Sequence, residues 1–333
     1  MTLNRRNFLQ TTAVTAAAAS PLAFVTPSRA AAAKELRLGI ITPAGHSWNR
    51  AALQFGEALT KATDGRLTVT VFHSGQLGNE SVMMQQMQSG ALDMGWIQAA
   101  ELGSRVSSVA AINAPYLVRS TPAVAKLVKT PAAVRLLEVL PRETGCVGLG
   151  WGITGMRIVL STKDIKTPND LKGLKLRINP TPVYRDFYQY FGAAPTPIPT
   201  PGVFDAMTNG QVDGLEADVE LSWNQRFDKV SKVLMPMNAL FMPFAPLFSG
   251  RVWATLDAKD RDLIRQLTGQ ALDIQINDIV TTEAGLIEKF RQTPIVFRDL
   301  STFDTKPAIE AFDKVWLPKA PAIAELRTVG ATL

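Results

Sequence analysis

Apolar positions along the chain switch repeatedly between period two and helical spacing. Residues 36–42 form an apolar run stopped by Pro43, and 67–72 alternate with β-branched residues, so both read as strands. Between them 47–62 is an alanine-rich stretch at helical spacing, closed by the Asp64-Gly65 turn. The segment GQLGNESVMMQQMQSGALDMGWIQ, from Gly75, repeats the scheme as loop, helix and strand. Loop and helix fill 110–140, and 146–151 return to strand. Residues 167–218 carry the clearest punctuation. After a short leading helix they parse into strands at 174–178, 196–198 and 212–216 separated by two helices. Thr-Pro pairs at 167/168, 181/182 and 200/201 supply an N-cap and a first helical residue, and Gly173, Gly192 and Gly210 stand where the helices stop. A strand at 232–235 precedes an apolar stretch through Phe241, Phe244 and Phe248. Residues 255–291 give the longest helix, capped by Asp257, with Leu263, Ile264, Leu267, Leu272, Ile276, Ile279, Leu286 and Ile287 at helical intervals. It is longer than one small domain needs and reads as a strut across two. A strand at 294–297 and a helix at 306–315 close the chain.

Strands alternating with helices imply an α/β fold with parallel strands, whose ligands gather outside the carboxyl ends of the strands. In 167–218 those ends are Arg177 with Asn179, Pro199 with Thr200, and Glu216 with Ala217 and Asp218. Leu174, Leu176 and Ile178 share one face, which leaves the Arg177 guanidinium at the sheet edge, a planar fork suited to a carboxylate or phosphate. The competing reading is a structural ion pair. Trp151-Gly152 and Gly155 loosen the backbone where a first domain hands over to a second. Arg157 follows, within reach of the same cleft or simply a surface charge.

Composition narrows the function. With 333 residues, 46% hydrophobic and 19% charged, the chain can fill two cores. One cysteine, Cys146, forms no internal disulfide and sits in an apolar run as a buried thiol; two histidines, His46 and His73, are too few for a zinc cluster. No cofactor loop is present: Gly75 and Gly78 are not followed by a Lys-Ser/Thr pair. Met83, Met84 and Met87 read as core packing before a binding stripe. Residues 1–30 combine Arg5-Arg6, Phe8-Leu9, an alanine-rich middle and small residues at Ser28 and Ala30, the pattern of a twin-arginine export signal cut after Ala30, which places the protein in the periplasm. Its removal takes Arg5, Arg6 and Arg29 from the net charge of +6, leaving +3, too mild for a nucleic-acid partner.

GQLGNE near 75, GALDMG at 90, NAPYL at 113, the IKTPNDLKGLKLR run ending in Arg177 and NGQVDGLE at 209 resemble the DctP-like solute-binding proteins of TRAP (tripartite ATP-independent periplasmic) transporters across nearly the whole mature chain. The resemblance implies a two-lobed periplasmic-binding-protein (flytrap) fold with a long helix spanning both lobes. Lobe I is then 31–154 plus 243–282, and lobe II is 155–242 plus 283–333 with the C-terminal helices. It implies that Arg177 pairs with a ligand carboxylate and that Arg157 assists; we place the supporting contact of Arg157 nearer the open edge of the cleft. The family's asparagine after VDG-x-E is replaced by Ala217, and its pocket aromatic by Thr200. The candidate ligand-binding set is therefore Arg177, Arg157, Glu216, Ala217, Asp218, Thr200, Trp96 and Asn79.

The resulting expectation is a non-enzymatic monomer without cofactor or metal. It closes on a small organic acid, best a hydroxylated monocarboxylate since Glu216 and Asp218 oppose a second anion, and delivers it to membrane permease subunits. Two alternatives stay open: an exported α/β enzyme using Asp213, Glu216 and Asp218, which lacks a nucleophile and base pair, and a receptor for phosphate esters.

Overall fold

The computed structural model describes residues 33–333; the expected export signal lies outside them. Eleven strands form among the described residues: β1 (Lys34–Gly39), β2 (Leu67–Phe72), β3 (Met94–Gln98), β4 (Cys146–Gly148), β5 (Gly152–Ser161), β6 (Lys175–Ile178), β7 (Ala194–Pro197), β8 (Gly214–Asp218), β9 (Val233–Met235), β10 (Phe241–Ser249) and β11 (Val296–Phe297). Their main order is β2-β1-β3-β10-β5-β8-β6-β7. β1 pairs in parallel with β2 and β3, and β6 in parallel with β7 and β8, so each half of the sheet is a parallel core built from strand-helix-strand units.

The two halves meet through two long antiparallel strands. β5 pairs with β10 at its start and with β8 and β9 at its end, while β10 runs on to β3. The glycines expected to loosen a domain joint lie inside β5 instead. Gly152 leaves room for the Phe244 ring, whose Cζ would sit 2.2 Å from an added Cβ. Gly155, at φ +82°, coincides with the register shift between β5 and β10, a bulge that needs a left-handed residue.

The strut is Ala258–Arg291, 34 residues and about 50 Å long. Asp257 caps it, accepting the Asp260 N–H at 2.7 Å. Ile264, Thr268, Ala271, Leu272, Gln275, Ile276 and Ile279 form its buried stripe, with i, i+3, i+4 spacing. The helix touches Ser47–Ala62 on one half of the molecule and Val219–Asn224 on the other. The Gln275 amide brackets β5, accepting from Ile153 N (3.1 Å) and donating to Ile153 O (2.7 Å).

Gly173, Gly192 and Gly210 stop their elements with φ of +73°, +73° and +67°. Thr167 begins a capping box with Asp170, but the Thr181 hydroxyl makes no cap and stays buried without a partner, and Thr200 lies inside a short 3-10 turn, Thr200–Gly202. Met83, Met84 and Met87 are core. Cys146 is free and buried, and burial pushes its thiol up to about 11, so it is unreactive near neutrality. The last helix, Ala322–Gly330, ties back to the first half, with Arg327 donating to Pro115 O at 3.0 Å. No helix among the described residues is long and apolar enough to cross a membrane.

Candidate functional site

The carboxyl ends of β6 and β8 carry a buried ionic network. Neighbouring antiparallel strands place Arg157 of β5 directly opposite Asp218 of β8. Arg157 Nε donates to Glu216 Oε2 (2.6 Å), Nη1 to Asp218 Oδ2 (3.0 Å) and Nη2 to Glu216 O (3.2 Å). Arg157 therefore holds both carboxylates. Burial works against its charge, yet Glu216 and Asp218 outweigh it and raise its pKa further. The expected position near the open edge is corrected: the residue is 2% exposed, because β5 is an inner strand of the sheet.

Arg177 is buried as well, rather than at a sheet edge, since β6 lies between β7 and β8. Its partners differ in kind from those of Arg157. Nε donates to Ile198 O (2.8 Å), Nη1 to Glu216 O (3.2 Å) and Nη2 to Asn179 Oδ1 (3.0 Å), all neutral acceptors. Its one contact with a carboxylate, Glu216 Oε1, is 3.7 Å. That oxygen is already taken by Asn179 N (3.0 Å) and Nδ2 (3.1 Å). Burial pulls the Arg177 guanidinium down to about 10, Glu216 only partly opposing it and Arg157 adding to it. Of the two buried cations, Arg177 is the one short of anionic charge.

Asn179, two residues beyond Arg177 on the same strand face, links this network to a cavity of about 130 Å³ between the two halves. Asn79, Glu80, Gln98 and Glu101 line it from one half, and Asn179 and Thr200 from the other. These positions follow the carboxyl ends of parallel strands or open a helix, where α/β sheets bind ligands.

Across the cleft, Glu220 accepts from Ser47 N (2.9 Å) and Ser47 Oγ (2.7 Å), at the N-terminus of the helix Ser47–Ala62. His46 Nε2 stands 3.5 Å from Glu220 Oε2 and 3.9 Å from Asp218 Oδ1, distances of ionic contact rather than hydrogen bonding. Burial lowers the His46 pKa, but Glu220 and Asp218 together raise it above its usual value. Among the described residues no group of side chains could hold a metal ion.

The sequence candidates thus divide. Arg177, Arg157, Glu216 and Asp218 form one network, and Asn79 and Thr200 line the cavity. Ala217 and Trp96 are corrected. Alternation along β8 turns the Ala217 methyl to the opposite face, into the apolar cluster of Leu215, Ile158 and Leu160. The Trp96 ring is fully buried against Phe244 at 5.2 Å and is not part of the cavity lining. Glu80, Gln98, His46, Ser47 and Glu220 are additions. The signal that could have found them is position: each follows a strand end or starts a helix.

The sequence model for bacterial extracellular solute-binding protein, family 7, matches residues 38–320, and that for a twin-arginine translocation signal matches 2–21. A solute-binding protein of Roseobacter denitrificans is 28% identical over 250 residues, 74% of this chain and 77% of the relative. Among solved structures, a TRAP periplasmic solute-binding protein of Polaromonas sp. JS666 bound to D-erythronate aligns with TM-score 0.82 at 26% identity, covering 88% of this chain and 98% of that one. One from Citrobacter koseri with bound D-glucuronate gives TM-score 0.84 at 24% identity, covering 90% and 99%. With two α/β halves, a buried arginine network at their junction and a family match over most of its length, the chain belongs to the bacterial extracellular solute-binding protein family 7, the periplasmic receptors of TRAP transporters.

Proposed function

We propose that this receptor closes on a small hydroxylated monocarboxylate, with Arg177 holding the carboxylate, and passes it to the membrane permease subunits of a TRAP transporter. The observation that carries the reading is the unequal sharing of anions: Glu216 and Asp218 satisfy Arg157 and leave Arg177 with neutral acceptors. A ligand carboxylate reaching Arg177 gains a charge-assisted bond in a water-poor interior, where such bonds are strongest. That the related receptors hold D-erythronate and D-glucuronate supports an acid with several hydroxyls. The protein acts as a monomer, without cofactor or catalysis, its two lobes partitioned as 31–154 plus 243–282 and 155–242 plus 283–333. Binding drives hinge closure through contacts made only in the closed state.

Calorimetric titration with aldonates, uronates, dicarboxylates and sugar phosphates tests this, with each mixture then assayed for chemical change. Tight binding of a hydroxylated monocarboxylate recovered intact is expected. Preference for a phosphate ester, or turnover of the bound acid, would overturn it.

A further inference from the structure

Arg177 is 0% exposed and stays out of the cleft cavity, whereas Asn179, two residues on, lines it. The route from the cavity to the guanidinium therefore runs through the Asn179 amide. Arg177 Nε and Nη1 donate to main-chain carbonyls, Ile198 O at 2.8 Å and Glu216 O at 3.2 Å, positions that the sheet fixes. Nη2 is held instead by a side chain, Asn179 Oδ1 at 3.0 Å. It is the nitrogen of the fork that a side-chain rotation can release.

Resting on the proposed reading of Arg177 as the carboxylate clamp, we infer that Asn179 is a placeholder: its amide oxygen keeps Arg177 Nη2 until a ligand carboxylate takes that position, and it yields by turning into the cleft. The exchange replaces a neutral acceptor with an anionic one, on a guanidinium whose contact with a carboxylate is a distant 3.7 Å. Charge-assisted bonds are the stronger kind, so the exchange favours the ligand. It also strands no anion. Asn179 Nδ2 leaves Glu216 Oε1, but the Asn179 main-chain N–H remains on that oxygen at 3.0 Å and Arg157 Nε remains on Oε2 at 2.6 Å. The same N–H on one side, and Thr181 N donating to Asn179 O at 2.7 Å on the other, hold the backbone in place, so only the side chain has to move. Turned into the cleft, the released amide is satisfied by water.

The test uses whichever of D-erythronate and D-glucuronate binds wild type more tightly. A crystal structure of that complex should place a ligand carboxylate oxygen on Arg177 Nη2, with Asn179 Oδ1 beyond hydrogen-bond reach of it. In stopped-flow binding Asn179→Ala, which leaves nothing to displace, should associate faster and bind about three- to tenfold tighter, its dissociation rate little changed. Asn179→Ser, too short to span to the guanidinium, should follow Ala and replaces it if Ala is poorly folded. Asn179→Asp keeps the shape but makes the placeholder anionic, so it should bind about 10- to 100-fold more weakly. A ligand contact would show the opposite sign for Ala, with weaker binding through faster dissociation, and a residue that merely supports the strand end would leave both rates unchanged. Either result, or a complex in which Oδ1 stays on Nη2 beside a carboxylate bound to Arg177, overturns the inference while the receptor reading stands. If the carboxylate sits away from Arg177, or if neither acid binds while another class of solute does, the clamp reading itself fails and the inference falls with it.

Discussion

Arg157 Nε donates to Glu216 Oε2 at 2.6 Å with both side chains sealed from solvent, and the same guanidinium reaches Asp218 through Nη1. A cation so placed is structural before it is functional. Arg157→Ala would strand two buried carboxylates, and breaking a buried pair from one side costs about 3 to 5 kcal/mol. A clearly lowered melting temperature in the absence of ligand is expected. Melting unchanged from wild type would show that the pair contributes nothing to the fold.

Arg177 should behave differently. If Arg177 holds the ligand carboxylate as proposed, its loss removes the partner of a desolvated anion, so Arg177→Ala should weaken binding by roughly 2 to 5 kcal/mol, thirtyfold to several thousandfold. Arg177→Lys should recover only part, since an ammonium restores charge without the fork. Some stability is lost too, because Ile198 O, Glu216 O and Asn179 lose a donor. The discriminating measurement is therefore affinity on protein shown to be folded. An Arg177→Ala variant that binds the cognate acid within threefold of wild type would place the clamp elsewhere.

The parallel β6-β7-β8 unit is legible in 167–218 because Gly173, Gly192 and Gly210 occupy left-handed stops that sequence marks plainly. The long helix is legible because its buried stripe repeats over more than four turns. β5 is not: Gly152 and Gly155 look like a flexible joint, whereas one makes room for Phe244 and the other forms a bulge, and both depend on strands distant in sequence. The same limit hides the division of labour between Arg157 and Arg177. Spacing puts both arginines near the cleft, but which one takes Glu216 and Asp218 depends on the antiparallel register of β5 on β8.

Glu220 bridges the two halves of the molecule from outside the cavity lining. Its carboxylate accepts from Ser47 N and Oγ at a helix N-terminus, where partial positive charge favours it, and Arg50 Nη2 stands 3.3 Å away. Glu220→Gln should bias the receptor toward open forms and weaken ligand binding about tenfold, because apparent affinity scales with the closed-competent fraction. Small-angle scattering should show a larger unliganded molecule. Identical scattering and affinity in the variant would mean closure does not depend on this contact. His46 adds a pH term: its pKa is raised by Glu220 and Asp218, so its contribution is fully present below about 6.5 and is lost as pH rises through the raised value.

Gly155→Ala tests the bulge. At φ +82° any side chain is strained, and the new Cβ would lie 2.5 Å from Glu283 Oε1, which accepts Met156 N–H at 3.2 Å. A loss of about 1 to 3 kcal/mol in chemical denaturation is expected. Full stability would show that β5 tolerates a regular register.

Glu80, nine-tenths buried at the start of the helix Glu80–Ser89, should leave its mark on stability. Its carboxyl titrates near 8 when folded and near 4.5 when exposed, so between those values the unfolded chain has released a proton that the folded protein still holds. Folding then takes up a proton, and stability falls as pH rises across that window, by up to about 1.4 kcal/mol per pH unit from this group alone, levelling off above about 8. Glu80→Gln removes the ionisation while keeping the acceptor for Gln98 N–H. The variant should therefore match wild type near pH 5 and exceed it in stability at pH 8, the gap opening steadily between. Urea denaturation of both proteins at pH 5, 6, 7 and 8, without ligand, measures the difference directly, since titrations common to the two chains cancel. Parallel curves with a constant offset would mean that Glu80 ionises normally inside the cleft, and that its burial leaves the carboxylate adequately solvated or paired.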